Sequence, residues 1–65
     1  MSKLKGYAYY FDRAKTFEEE GKWGLAADAW QRAVKLAPSG QIWKRDNNRM
    51  LHCRRKHNRQ QREAS

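Results

Sequence analysis

The chain holds one cysteine, one proline, one valine and one isoleucine among its 65 residues. Each scarcity excludes something. Cys53 alone cannot close an intramolecular disulfide, so no disulfide framework staples the fold, and a reducing, cytoplasmic setting is expected. Val34 and Ile42 are single occurrences of their types, and no alternating runs lie between turn clusters, so no strand is expected. The longest apolar run, Tyr7 to Phe11, is far short of the ~18 residues that a membrane span requires. Residues 1–5 have no apolar stretch behind them, and no signal peptide is expected. Catalytic sets are missing too: no assemblable Ser–His–Asp arrangement, no glycine-rich phosphate loop and no inward carboxylate pair. A chain this short also buries only about 60% of its unfolded surface. Neither an enzyme nor a cofactor site is expected.

Acids are scarce as well, with 7 Asp+Glu against 15 Lys+Arg and a net charge of +8. The excess is uneven. Arg54, Arg55, Lys56, Arg59 and Arg62 against Glu63 give the last twelve residues +4, half of the total. Only Ala64 is apolar there, so we expect one helical domain over residues 1–57 and a basic, frayed or disordered tail over 58–65. Two uses of that tail stand side by side: a solvated helix end, or a nucleic-acid contact through Arg54, Arg55, Lys56, Arg59 and Arg62. It has no interleaved aromatics for stacking on single strands, and no helix-turn-helix spacing.

What the chain does contain is helical periodicity. Tyr7, Tyr10, Phe11, Ala14 and Phe17 recur at i, i+3, i+4, i+7 and i+10, with Lys3, Lys5, Asp12, Lys15 and Glu18 to Glu20 largely off that stripe. Gly21 supplies a residue tolerant of left-handed backbone where the first helix should end. A second helix is read from Trp23 to Ala37, with apolar residues at 23, 26, 27, 30, 33, 34 and 37, and Pro38-Ser39-Gly40 ends it. Ser39 can cap a third helix through Ile42, Trp43, Met50 and Cys53 toward about residue 60. Its middle, Lys44 to Arg49, is entirely polar, so this helix reads as half docked and half exposed. The expected fold is all-α: a helical hairpin plus a C-terminal helix with a basic tail.

Residues 7–38 resemble one tetratricopeptide unit, through Ala14, Phe17, Gly21, Trp23, Ala26, Trp30, Ala33 and the closing Pro38. Ala14 and Ala26 let two antiparallel helices approach, and the aromatics fill the space around that contact. One such unit cannot bury both of its faces. The third helix must cover one, and the other stays wet or meets another molecule. Self-association is therefore expected.

A second resemblance runs from residue 14 to residue 53. Glu20-Gly21-Lys22-Trp23, Ala26-Ala27, Trp30, Ala33, Ala37, Trp43, Arg49 and Cys53 are similar to the pattern of the ANR family, the AraC negative regulators of enteric bacteria. The related PerC-like virulence activators share Gly-x-Trp, Ala-Ala and Trp before a basic stretch ending in Cys. The ANR resemblance implies transcription regulation by binding an AraC-type regulator, with inhibition by occlusion of a helix that the regulator needs. The PerC resemblance implies activation, with direct nucleic-acid contact. Tyr9, which falls off the first stripe, Trp43, which opens a polar helix, and Met50 are the expected partner contacts.

Three further features have plain structural readings. Trp23 and Trp30 lie on one helix face and read as core. His52, Cys53 and His57 lack the ligand number and spacing of a structural zinc site, and adjacent cations would repel a dication. Cys53 reads as a small buried hydrophobe, although Arg54, Arg55 and Lys56 beside it would lower its pKa were it a reactive thiol. Glu18 to Glu20 end a helix where its dipole disfavours acids. They are expected either near the start of the second helix, shielded by Lys22, or as an acidic docking patch.

Overall fold

The computed structural model describes residues 6–64. The expectations for residues 1–5 and Ser65 lie outside it. Three helices follow in order, α1 (Tyr7–Glu19), α2 (Trp23–Lys35) and α3 (Gly40–Ala64), with no strand among the described residues. The fold is all-α.

The α1–α2 turn is built on backbone chemistry. Gly21 adopts φ +75°, its N–H donates to the Glu18 carbonyl at 3.0 Å, and the Lys22 N–H donates to the Phe17 carbonyl at 2.8 Å. This pair of bonds is the Schellman closure, which satisfies carbonyls that the helix end leaves over. A left-handed φ at that point suits glycine, since a Cβ there would crowd the following carbonyl. At the other junction, the Ile42 N–H donates to the Ser39 hydroxyl at 3.2 Å, so Ser39 caps α3. Helix α2 stops at Lys35, two residues before the expected end, with the Leu36 and Ala37 amides closing onto Ala33 and Val34.

Alanine dominates the core. Ala14, Ala26 and Ala33 are fully buried, Ala27, Ala29 and Trp30 nearly so, and Met50 and Cys53 come from α3. Small side chains bring the backbones together, and rings then fill the edges: Phe11 meets Trp30 edge-on at 5.3 Å. Trp23 is only half-buried, with His52 against its edge at 6.2 Å and the Lys56 ammonium 4.9 Å over its face. Helix α3 returns beside α2 and closes one side of the hairpin. Where it passes Gly24 there is no space to spare, because a Cβ on that glycine would lie 2.8 Å from the His57 ring nitrogen Nδ1.

The polar middle of α3 docks as well, through ionic and hydrogen-bonded contacts. Asp46 is 1% exposed, accepts from the Tyr7 hydroxyl across the α1–α3 seam, and accepts from Arg45 Nε at 3.0 Å. Burial, and then Asp46 as acceptor and as charge, raise the Tyr7 pKa above its ordinary value. The helix continues through the basic segment to Ala64, and every residue from 58 to 63 is exposed. At 25 residues α3 is about 37 Å long, nearly twice the length of α1 or α2. Helix α3 packs along α2 and also meets α1, at Tyr7–Asp46 and at Glu18–Arg49, so the α1–α2 side that faces away from α3 has no covering element among the described residues.

Candidate functional site

Two places in this fold concentrate chemistry: an open groove between α1 and α2, and a buried carboxylate beneath α3.

The groove is lined by Tyr9, Tyr10, Arg13 and Phe17 from α1, and by Leu25, Asp28, Ala29 and Arg32 from α2. Tyr9 and Tyr10 meet edge-on at 5.1 Å. The Arg13 guanidinium lies 5.1 Å over Phe17 and 5.8 Å over Tyr9, and Arg32 lies 6.0 Å over Tyr10. These are cation–π distances, so the arginines pack on the rings that line the groove. Leu25 is 51% exposed and Tyr9 40%, the apolar floor of an otherwise charged edge. The sequence reading identified Tyr9. It missed Leu25, Arg13 and Arg32, although Leu25, Asp28, Ala29 and Arg32 follow i, i+3, i+4 and i+7, a second stripe beside the core stripe of α2.

The other two expected partner contacts separate. Trp43 is 48% exposed in the first turns of α3, and it does not belong to the groove lining. Met50 is 9% exposed and sits in the core cluster, so its side chain is packing and offers a partner almost no surface. The reason is register: Asp46, Met50, Cys53 and His57 fall at i, i+4, i+7 and i+11, the stripe of α3 that faces the hairpin.

The buried carboxylate is Glu18. Its side chain is 7% exposed at the C-terminal end of α1. Its two oxygens accept from Arg49 Nε at 2.8 Å and Arg49 Nη2 at 2.7 Å, a bidentate pair. One of them also accepts from the Trp30 indole N–H at 2.7 Å and from Cys53 Sγ at 3.1 Å. All three helices meet in this one group. Burial alone would raise the Glu18 pKa, but donors from Arg49, Cys53 and Trp30 and the Arg49 charge outweigh it, lowering the value to about 2. Both sequence readings of the acidic triplet therefore miss Glu18, and only Glu20 behaves as expected, pairing with Lys22 at 3.3 Å on the surface. A usable signal existed: an acid in the last turn opposes the helix dipole, and such a placement calls for a compensating cation.

Cys53 is fully buried, as expected of a small hydrophobe. Its thiol moves opposite to the direction that its basic sequence neighbours suggested. Burial, then the bond to Glu18 and the Glu18 charge, push its pKa up to about 12. Arg54 and Arg55 are exposed, and the lowering by the Arg49 and Lys56 charges is outweighed. We expect a thiol reagent at pH 8 to label native Cys53 at least about 100-fold more slowly than the denatured chain. Equal rates, with helicity retained, would show that the thiol is neither buried nor held by Glu18.

The basic residues of the C-terminal segment also sort into classes. Arg54 donates to the Gln31 side chain at 3.3 Å, and Lys56 packs over Trp23, so both are engaged with α2. Arg55, Arg59 and Arg62 are exposed on the outer side of α3. Among the described residues, no group of three or more His, Cys, Asp or Glu converges to hold a metal ion. Among the described residues, no helix is long and apolar enough to cross a membrane.

Comparison of the chain with protein-family models, with curated protein sequences and with solved structures returned no match.

Proposed function

We propose that this chain is a small helical adaptor in transcription regulation. It binds a DNA-binding regulator in the α1–α2 groove and inhibits it by covering a helix that the regulator needs. The supporting observation is the groove itself: aromatic side chains and Leu25 line an open face that no element of the described chain covers, rimmed by Arg13, Asp28 and Arg32. An apolar floor with a charged rim is the anatomy of a helix-receiving interface. That the partner is an AraC-type regulator rests on the residues shared with the ANR pattern, and the groove adds the place where such a partner would sit. Trp43 remains a second contact, exposed at the start of α3.

The test is titration of the chain with purified AraC-type regulators of its own host. Leu25→Asp changes an exposed residue, so it should keep wild-type helicity while weakening the complex by tenfold or more, chiefly through faster dissociation. Trp43→Ala should cost less than Leu25→Asp. Absence of any complex, or a complex unaffected by Leu25→Asp, would sink the proposal. So would sedimentation showing that Leu25→Asp abolishes only self-association, because the groove would then belong to a second copy.

A further inference from the structure

Helices α1 and α3 each pack along α2, and they meet each other through two polar bridges. Tyr7 joins Asp46 and Arg45 at one end of the seam, and Glu18 joins Arg49 and Cys53 at the other. Tyr7, Phe11, Lys15 and Glu18 fall at i, i+4, i+8 and i+11, one stripe of α1 along that seam. Between the bridges lies a cleft of about 310 Å³, lined by Phe11 and Lys15 from α1, Trp30 from α2, and Arg45, Asp46 and Arg49 from α3. Burial orders this lining. Trp30 is 2% exposed, Asp46 is buried and Phe11 half-buried, whereas Lys15, Arg45 and Arg49 are exposed. Phe11 and Trp30, edge-on to each other, are therefore an aromatic floor, and the three cations stand at the mouth. Their charges are not all matched. Arg45 pairs with Asp46 and Arg49 with Glu18, but Lys15 has no ion-pair or hydrogen-bond partner among the described residues. Each arginine bonds through Nε and Nη2, which leaves the two N–H groups of Nη1 without an acceptor among the described residues.

We infer that this cleft binds a small aromatic carboxylate, its ring on Phe11 and Trp30 and its carboxylate on Lys15 and the free arginine donors. The unmatched charge selects the charge of the ligand. One negative charge balances Lys15, a second would have no counter-charge, and a cation would face three groups of its own sign. A carboxylate also offers two oxygens to the forked donors of a guanidinium. The floor selects the body of the ligand. Rings pack edge-on or offset against rings, and the Arg45 guanidinium 5.6 Å over Phe11 shows that the floor already takes a flat group. A volume of about 310 Å³ is at the small end of ligand sites, which suits one ring or two fused rings. The cleft shares no residue with the α1–α2 groove, so the inference stands or falls independently of the proposed adaptor role.

The experiment is an NMR titration of the isotope-labelled full chain with naphthoate at low salt and neutral pH, which reads both affinity and place. A Kd of about 0.1–1 mM is expected for a ligand of that size in an open cleft. The indole N–H resonance of Trp30 should move on binding, and that of Trp43 should not, since Trp43 is not part of the lining. Uncharged naphthamide, doubly charged naphthyl phosphate and aliphatic decanoate should each bind at least about fivefold more weakly. Lys15→Gln changes an exposed residue, so the fold should hold while naphthoate binding weakens about three- to fivefold. Lys15→Arg keeps the charge and should restore most of the affinity. Lys35→Gln removes the same charge from the end of α2 and should alter binding by less than about 1.5-fold. A Trp30 resonance that stays still, naphthoate binding no tighter than any of the three comparison ligands, or equal losses in Lys15→Gln and Lys35→Gln would each overturn the inference.

Discussion

Glu18→Ala is expected to be among the most damaging substitutions in the chain, lowering the melting temperature by about 15 °C or more. The substitution removes the acceptor of four hydrogen bonds at once, from Trp30, Cys53 and both nitrogens of Arg49. Trp30 and Cys53 are buried and can find no water in exchange, and each stranded donor costs about 1–3 kcal/mol. The Arg49 side chain is 45% exposed and can turn outward, which lessens its share. The total is about 3–4 kcal/mol, by the usual cost of breaking a buried, hydrogen-bonded ion pair. A chain of this length is worth only about 3–10 kcal/mol in all. Glu18→Gln keeps one acceptor oxygen and should lose about half as much.

The same group sets the acid limit. Its folded-state pKa lies below its ordinary value of 4.5, at about 2. The charged form is therefore bound more tightly in the folded chain. The contribution is fully present above pH ~5 and is lost as pH falls through the folded pKa, and it amounts to roughly 3 kcal/mol. Thermal melts from pH 7 to pH 2 should fall steeply for the wild type below pH 5 and more gently for Glu18→Gln. Parallel curves, or a Glu18→Ala variant that melts like the wild type at pH 7, would show that the three helices do not depend on this carboxylate.

Ala26→Glu should be as damaging for a different reason. Ala26 has no exposed surface and belongs with Ala14 and Ala33 to the buried core. A glutamate there overpacks the contact, by about 1–3 kcal/mol. It also buries a charge with no partner, at several kcal/mol more. Ala33→Glu places the same group in an equally buried site and should behave alike. The neighbouring Leu25→Glu points into the open groove and should change stability by no more than about 0.5 kcal/mol. Far-UV circular dichroism on the three variants decides the matter. Helical Ala26→Glu and Ala33→Glu proteins, melting at the wild-type temperature, would mean that the alanine seam is not the interhelical contact.

Helix positions were legible because their causes are local. A stripe of rings at helical spacing, a glycine where backbone must turn left-handed, and Pro38-Ser39 before Gly40 are read from neighbours in the chain, and each stands where it was expected. The alanine seam was legible for a related reason: small residues at i, i+7 on α2 signal close approach whatever lies opposite. The groove was half legible. Tyr9 departs visibly from its own stripe, but Leu25 is left exposed in the groove because α3 covers the Ala26, Ala33 and Trp30 side of α2, and nothing near Leu25 in sequence says so.

The sequence by itself determined an all-α chain of three helices, the turn at Gly21, the alanine-lined hairpin and the burial of Cys53, since periodicity, backbone stereochemistry and side-chain size act within a few residues. The tertiary structure alone decided which polar residues are structural and which are free. Glu18 meets Arg49 across 31 positions and Tyr7 meets Asp46 across 39. An isolated carboxylate or guanidinium reads as a solvated surface group until its counter-charge arrives from another helix. That pairing also reassigns the rest. Arg49 and Arg54 become internal partners and Met50 becomes core, while Lys44, Arg55 and Arg59 are left facing water, because one stripe of α3 must be buried and its opposite cannot be.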